Sequence, residues 1–326
     1  MAFQLGRIEP SPDVFAVVMA TGILSIAAQL HHYTPISHIL GVLASLGFVV
    51  LALLVAVTRP AWDRTDPDVT LRLFTFVAAC AVLDSRLANN HSVVVTLGAM
   101  ALVAWLLLAA LTARNMAAGT WTALRDRAHG AWELGSVGTS GLAIVATQVA
   151  RHTGQRWWLA LAMPVWVIGL GVYGLMTALI VWRAIAQRQD REGFEPDSWI
   201  LMGGLAIATL AGDGIHALAP GWLAPAVRVA TVVTWVVATL WIPPLIYFGL
   251  RRIRRRPALL RFAGVWWAMV FPLGMYSAAT AATAAELGRP ALSTVSLLFF
   301  WIASTAWVTV CAAGLVRLGR ALGGPG

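Results

Sequence analysis

Lysine is absent: all 23 basic residues of this 326-residue chain are arginine. Charge of either sign is scarce, at 11% of residues, where a soluble domain carries about a quarter. Only two cysteines occur, Cys80 and Cys311, both inside apolar stretches, which excludes a disulfide framework and a cysteine metal site. No phosphate-cradling glycine loop, no Ser/His/Asp set and no zinc spacing is present. No pair of histidines four residues apart aligns within one helix, as a di-haem protein would need. These absences exclude an enzyme and a bound cofactor. The leader Met1–Pro12 is polar and short and lacks the hydrophobic core of a signal peptide, so the first apolar segment is expected to be retained.

What is present is hydrophobicity, 59% of residues with a mean hydropathy of +0.77. A bilayer core of about 30 Å needs about 20 apolar residues per helix. Ten segments meet that need, at 13–30, 36–57, 69–87, 91–112, 131–150, 157–182, 199–218, 225–250, 262–286 and 293–316. The expected fold is an all-α integral membrane protein of ten transmembrane helices, a single transport domain over 1–326. Odd-numbered segments begin about 56 to 68 residues apart, which reads as five related hairpins. Five arginines (Arg86, Arg151, Arg156, Arg228, Arg289) fall on the side opposite the N-terminus and the remainder on the same side. By the positive-inside rule both termini face the cytoplasm, in a plasma (inner) membrane. That distribution argues against nucleic acid. "RRIRRR" (Arg251–Arg256) reads as an orientation signal in contact with anionic lipid.

Small and polar residues concentrate on the odd segments. The first carries Thr21, Gly22 and Ser25 at mid-depth, the fifth Gly138, the seventh Gly212 and Asp213, and the ninth Pro272 and Gly274. Even segments lean to Leu, Val and Trp. Small residues allow close helix approach, and polar ones need a partner or water. Five inner helices around a pathway, with five outer helices facing lipid, account for both.

"FAVVMATGILSIAA" resembles the first-helix signature of the tellurite-resistance/dicarboxylate transporter family, which includes bacterial tellurite-resistance channels and plant slow-type anion channels. "WWAMVFPLGMYSAAT" (Trp266–Thr280) resembles its ninth helix, and "WILMGGLAIATLAG" (Trp199–Gly212) its seventh. The resemblance implies five hairpins in a quasi-fivefold arrangement around a central pore. It implies pore-lining odd helices kinked by Pro or Gly, a homotrimer with one pore per protomer, and a mid-membrane plug at Phe271. From the residues, Phe271 lies about nine residues into its segment, and Pro272 bends the helix there and frees the carbonyl of Ala268.

Of the intramembrane charges, Asp84 and Arg86 read as an interfacial ion pair and Glu133 as a first-turn carboxylate. Asp213 and His216 are candidates for an outer vestibule or a coupling proton. His31, His32, His38, His91 and His152 gather on the external side, where they could confer pH sensitivity or bind a metal. Two readings remain: a conduit for small inorganic or organic anions, or a proton-coupled carrier of C4-dicarboxylate, sulfite or tellurite. Both make a small anion and the lipid bilayer the partners.

Overall fold

A computed structural model describes residues 10–186, 196–255 and 266–322. Its regular structure is helical throughout, with no strand among the described residues. The long helices are α1 (Ala16–Leu30), α2 (Thr34–Thr58), α4 (Phe74–Arg86), α5 (His91–Ala117), α7 (Leu134–Thr153), α8 (Leu159–Ala186), α9 (Ile200–His216), α10 (Ala224–Arg255), α11 (Trp267–Leu287) and α12 (Pro290–Leu322). Two short helices, α3 (Pro67–Arg72) and α6 (Trp121–Arg127), lead into the α4 and α7 regions.

Among the described residues, seven helical stretches are long and apolar enough to cross a membrane by length and composition. Of the other three, α1 and α4 are short, at 15 and 13 residues, and α7 is diluted by Ser136, Thr139, Ser140 and Thr147. The expected third segment is broken at Leu73. There the Thr75 hydroxyl donates to the Arg72 carbonyl at 2.9 Å, a side-chain bond that competes with the helix ladder. The fifth begins with a 3₁₀ turn over Gly130–Glu133. Residues 262–265 of the ninth segment and Arg256 of the arginine run lie outside the described residues.

Burial separates two classes of helix. In the membrane-length windows, 83% of the α9 residues and 72% of the α11 residues are buried, against 22% in α2, α5, α10 and α12. The inner helices pack in a circuit: α1 on α4, α4 on α7, α7 on α9, α9 on α11, and α11 back on α1. Each outer helix packs on the inner helix that precedes it in the chain.

Indole hydrogen bonds join each of four outer helices to the next inner helix. Trp105 (α5) donates to Thr139 Oγ1 of α7 at 2.9 Å, and Trp166 (α8) to the Ala208 carbonyl of α9 at 2.8 Å. Trp235 (α10) donates to Thr280 Oγ1 of α11 at 3.1 Å, and Trp307 (α12) to Thr21 Oγ1 of α1 at 2.9 Å. These tryptophans are about 60 to 72 residues apart, the hairpin period again. In an apolar surround, an indole N–H needs such an acceptor.

Candidate functional site

The five inner helices enclose two cavities. The wide one, about 700 Å³, lies at their C-terminal ends. Its floor is apolar, with Ile23 of α1, Val82 of α4, Ile144 of α7, Ile207 of α9 and Met275 of α11. Its rim carries His31, His32, Gln148, Arg151 and Asp213. The narrow one, about 40 Å³, lies at the N-terminal ends, against Asp13, Met19, Arg72, Asp197, Ala268 and Phe271.

Met19 and Ile23 are four residues apart on α1, and Phe271 and Met275 four apart on α11. In each pair the first lines the narrow cavity and the second the wide one. Four residues of helix rise about 6 Å, so one helical turn separates the two spaces. Phe271 is fully buried there, among the largest buried side chains of the described residues. It is the fifth residue of α11, about 6 Å along the helix from Trp267. Pro272 follows it and packs against Gly203, where a side chain would press on the proline ring. Ala268, whose carbonyl loses its helix donor to Pro272, lines the narrow cavity.

Thr21, Gly22, Ser25, Gly138, Gly212 and Gly274, expected along the pathway, are not among the residues that line either cavity. Thr21 points to Trp307. Ser25 donates to the Ser37 carbonyl of α2 at 2.6 Å and accepts from Arg86 Nε at 2.6 Å. Gly22 abuts Val82, Gly138 abuts Phe74, Gly212 abuts Thr231 and Trp166, and Gly274 abuts Ile23. These residues let helices meet, while the cavity walls are mainly aliphatic. The ion pair expected of Asp84 and Arg86 does not form. Arg86 is engaged by Ser25, and Asp84 is buried with neither oxygen meeting a donor among the described residues. Glu133 is fully buried, accepting from Ser136 and Thr177 hydroxyls at 2.8 and 2.7 Å.

Asp213 lines the wide cavity, whereas His216 turns to Glu286, 3.6 Å away. His31 Nε2 lies 2.9 Å from Ser296 Oγ. The His91 and His152 rings are 6.1 Å apart between centroids. No group of three or more His, Cys, Asp or Glu is arranged to hold a metal ion among the described residues.

Sequence reasoning missed a cluster at the narrow end. His129 Nδ1 lies 2.6 Å from Asp197 Oδ2, and its Nε2 lies 2.6 Å from Asp68 Oδ1. Asp68 in turn lies 3.0 Å from Arg72, which lies 3.9 Å from Asp13. Asp13, Asp68, His129 and Asp197 precede α1, α4, α7 and α9 at intervals of about 55 to 68 residues. That recurring register was the available signal.

Burial alone would lower the His129 pKa, but its two carboxylate partners outweigh this and raise it to about 9. For Asp68, burial is likewise outweighed, by His129 and Arg72, and its pKa is lowered. The His129 contribution to stability is therefore complete below its ordinary value of 6.5 and is lost as pH rises through about 9. The Asp68 contribution is complete above its ordinary value and is lost as pH falls through the lowered one. Thermal melting followed by tryptophan fluorescence from pH 5 to 10 should fall off on the alkaline side, and His129→Asn should abolish that alkaline limb. Identical limbs in the two proteins would show that the cluster does not bear on stability.

Comparison with known proteins bears on what such an enclosure serves. A family profile described as "Voltage-dependent anion channel" matches residues 10–315. Two curated relatives, each described as an uncharacterized membrane protein, come from Mycobacterium tuberculosis strains CDC 1551 / Oshkosh and ATCC 25618 / H37Rv. Each is 29% identical over 161 residues, 48% of this chain and 81% of the relative. With a profile match that spans all the inner helices and both cavities, this membrane protein belongs to the SLAC1 family of voltage-dependent anion channels.

Proposed function

We propose that the chain is a conduit for small anions, with ten membrane-spanning helices in five hairpins arranged in quasi-fivefold fashion around a central pore. Phe271 occludes that pore. The observation that carries this reading is the pair of cavities lined by successive turns of α1 and α11, a single helical turn apart at Phe271. An ion crossing a dry apolar constriction loses its hydration, a cost far above thermal energy. An aromatic ring at the constriction therefore closes the path without any fixed charge. Opening requires only that the ring leave the axis.

The circuit of inner-helix contacts supports one pore per chain, so a homotrimer would carry three. The arginine distribution supports cytoplasmic termini; on that orientation, in a plasma membrane, the wide cavity opens outside and the cluster around His129 lies inside. The alternative, a proton-coupled carrier for C4-dicarboxylate, sulfite or tellurite, rests on Asp213 at the wide cavity.

The test is reconstitution in planar bilayers under asymmetric chloride and nitrate. A current that reverses at the anion equilibrium potential and ignores a proton gradient supports the conduit. Transport that runs uphill on a pH gradient and stops in Asp213→Asn would replace it with the carrier.

A further inference from the structure

The inner helix α7 turns Ile144, Thr147, Gln148 and Arg151 toward the wide cavity. Their spacing of three, four and seven residues puts them on one face. The Thr147 hydroxyl donates to the Ile144 carbonyl at 2.7 Å. Gln148 and Arg151 make no hydrogen bond or ion pair with any described residue, and the Arg151 charge acts on Asp213 only through space. Arg151 is the one arginine, and Asp213 the one carboxylate, among the residues that line this cavity.

Across the mouth stands His32. It closes α1 in a left-handed conformation, φ 62°. The Tyr33 amide donates to the Ala28 carbonyl at 2.8 Å and the His32 amide to the Gln29 carbonyl at 3.1 Å. Glycine is the ordinary residue at this position of a helix end. Here a bulky side chain is held at a backbone angle that L-residues avoid, and it lines the cavity. A donor at a strained position, facing an uncommitted guanidinium and amide, is the arrangement of an anion site rather than of a packed surface.

We propose that Arg151 and Gln148, with His32 opposite, form an external recruitment site that loads small monovalent anions into the wide cavity, in competition with Asp213. The proposal rests on the conduit reading for its purpose but not for its existence. The preference for single charge follows from the count of groups. The desolvation cost of an ion grows with the square of its charge, while its attraction to one arginine grows only linearly. Asp213 further opposes a divalent anion. Arg151 is thus a specificity residue at the mouth, several turns from the occlusion at Phe271.

Two measurements test it. In the first, the protein is placed in zwitterionic nanodiscs and chloride binding is followed by excess ³⁵Cl line broadening. Arg151→Gln should weaken apparent chloride affinity about tenfold, the low end of what a charged cleft contributes. Arg151→Lys should retain most of the affinity, and Asp213→Asn should strengthen binding and let sulfate compete. Broadening unchanged in Arg151→Gln, at an unchanged melting temperature, would overturn the site and leave Arg151 as a charge complementing the α7 C-terminus. In the second, proteoliposome flux is measured against external chloride. Arg151→Gln should raise the half-saturating concentration without lowering the maximal rate, and an unchanged half-saturation would overturn recruitment while the conduit stands. Absence of flux in the wild-type protein would remove the conduit, and the broadening experiment would then decide the site alone.

Discussion

Anion flux through Phe271→Ala should exceed that of the wild-type protein by an order of magnitude or more. A tenfold rise corresponds to about 1.4 kcal/mol removed from the barrier. The reason is geometric. Phe271 is fully buried where the narrow and wide cavities come within one helical turn, so truncation to a methyl group joins two existing spaces. Phe300 is the control. It is equally buried, but it packs against the rings of His31, Tyr33 and Trp301 and lines neither cavity. Phe300→Ala should cost about 3–5 kcal/mol of stability, as large core truncations do, and leave flux unchanged. Patch recording of both variants beside wild type, with surface expression measured, separates the outcomes. Equal currents from Phe271→Ala and wild type would identify Phe271 as a packing residue and move the occlusion elsewhere.

Gly130→Ala should be the most damaging glycine-to-alanine substitution among the described residues. A Cβ on Gly130 would fall on the backbone of Asp197 and Ser198, closer than real Cβ atoms approach anything. A clash with backbone cannot be relieved by a rotamer change. The 3₁₀ turn before α7 and a second 3₁₀ turn before α9, over Pro196–Trp199, would have to separate. That separation pulls apart His129 and Asp197, and the Asp197 carboxylate also loses the Ala131 amide, now 3.1 Å away. The combined loss should reach about 3 kcal/mol, the upper range for overpacking, read as a lowered melting temperature and a lost monodisperse peak in detergent. Gly171 has open space around its would-be Cβ, so Gly171→Ala should be silent in the same assay. A stable, monodisperse Gly130→Ala protein would mean that the two turns do not meet as described.

That the chain is an all-helical membrane protein, with some helices more buried than others, was legible in the sequence for physical reasons. Hydropathy reports transfer into lipid directly, and small residues report close helix approach. Direction around each helix axis was not legible. From the sequence Thr21 and Ser25 are expected to line the pathway; in the structure their hydroxyls have partners on other helices. Those partners, Trp307 and Arg86, lie 286 and 61 residues along the chain. Depth follows from counting residues, but the side a hydroxyl faces depends on a neighbour that no local pattern names. Asp84 and Arg86 show the same limit at short range, since two residues apart on a helix they do not face each other. The cluster around His129 escaped because its members sit just outside the apolar segments, where composition resembles any loop. Of the residues that line the wide cavity, Asp213 stands out in the sequence as a charge in an apolar run, whereas Arg151 resembles an ordinary helix end.

The hydrogen bond from Trp307 to Thr21 carries a consequence for biogenesis. Its partners are separated by 286 residues, and ribosomes add roughly 5–20 residues per second. The first inner helix therefore waits roughly 15–60 s in the membrane before the indole that completes it is made. During that interval the Thr21 hydroxyl relies on the Val17 carbonyl one turn back, 2.7 Å away, and the faces destined for α11 and α12 meet lipid or insertion machinery instead. The other three indole links span far shorter stretches of chain and close as soon as the next hairpin enters. The seam between α12 and α1 is thus the last joint to form, and a ribosome that stalls in the final hairpin leaves an open arc where a closed enclosure should be.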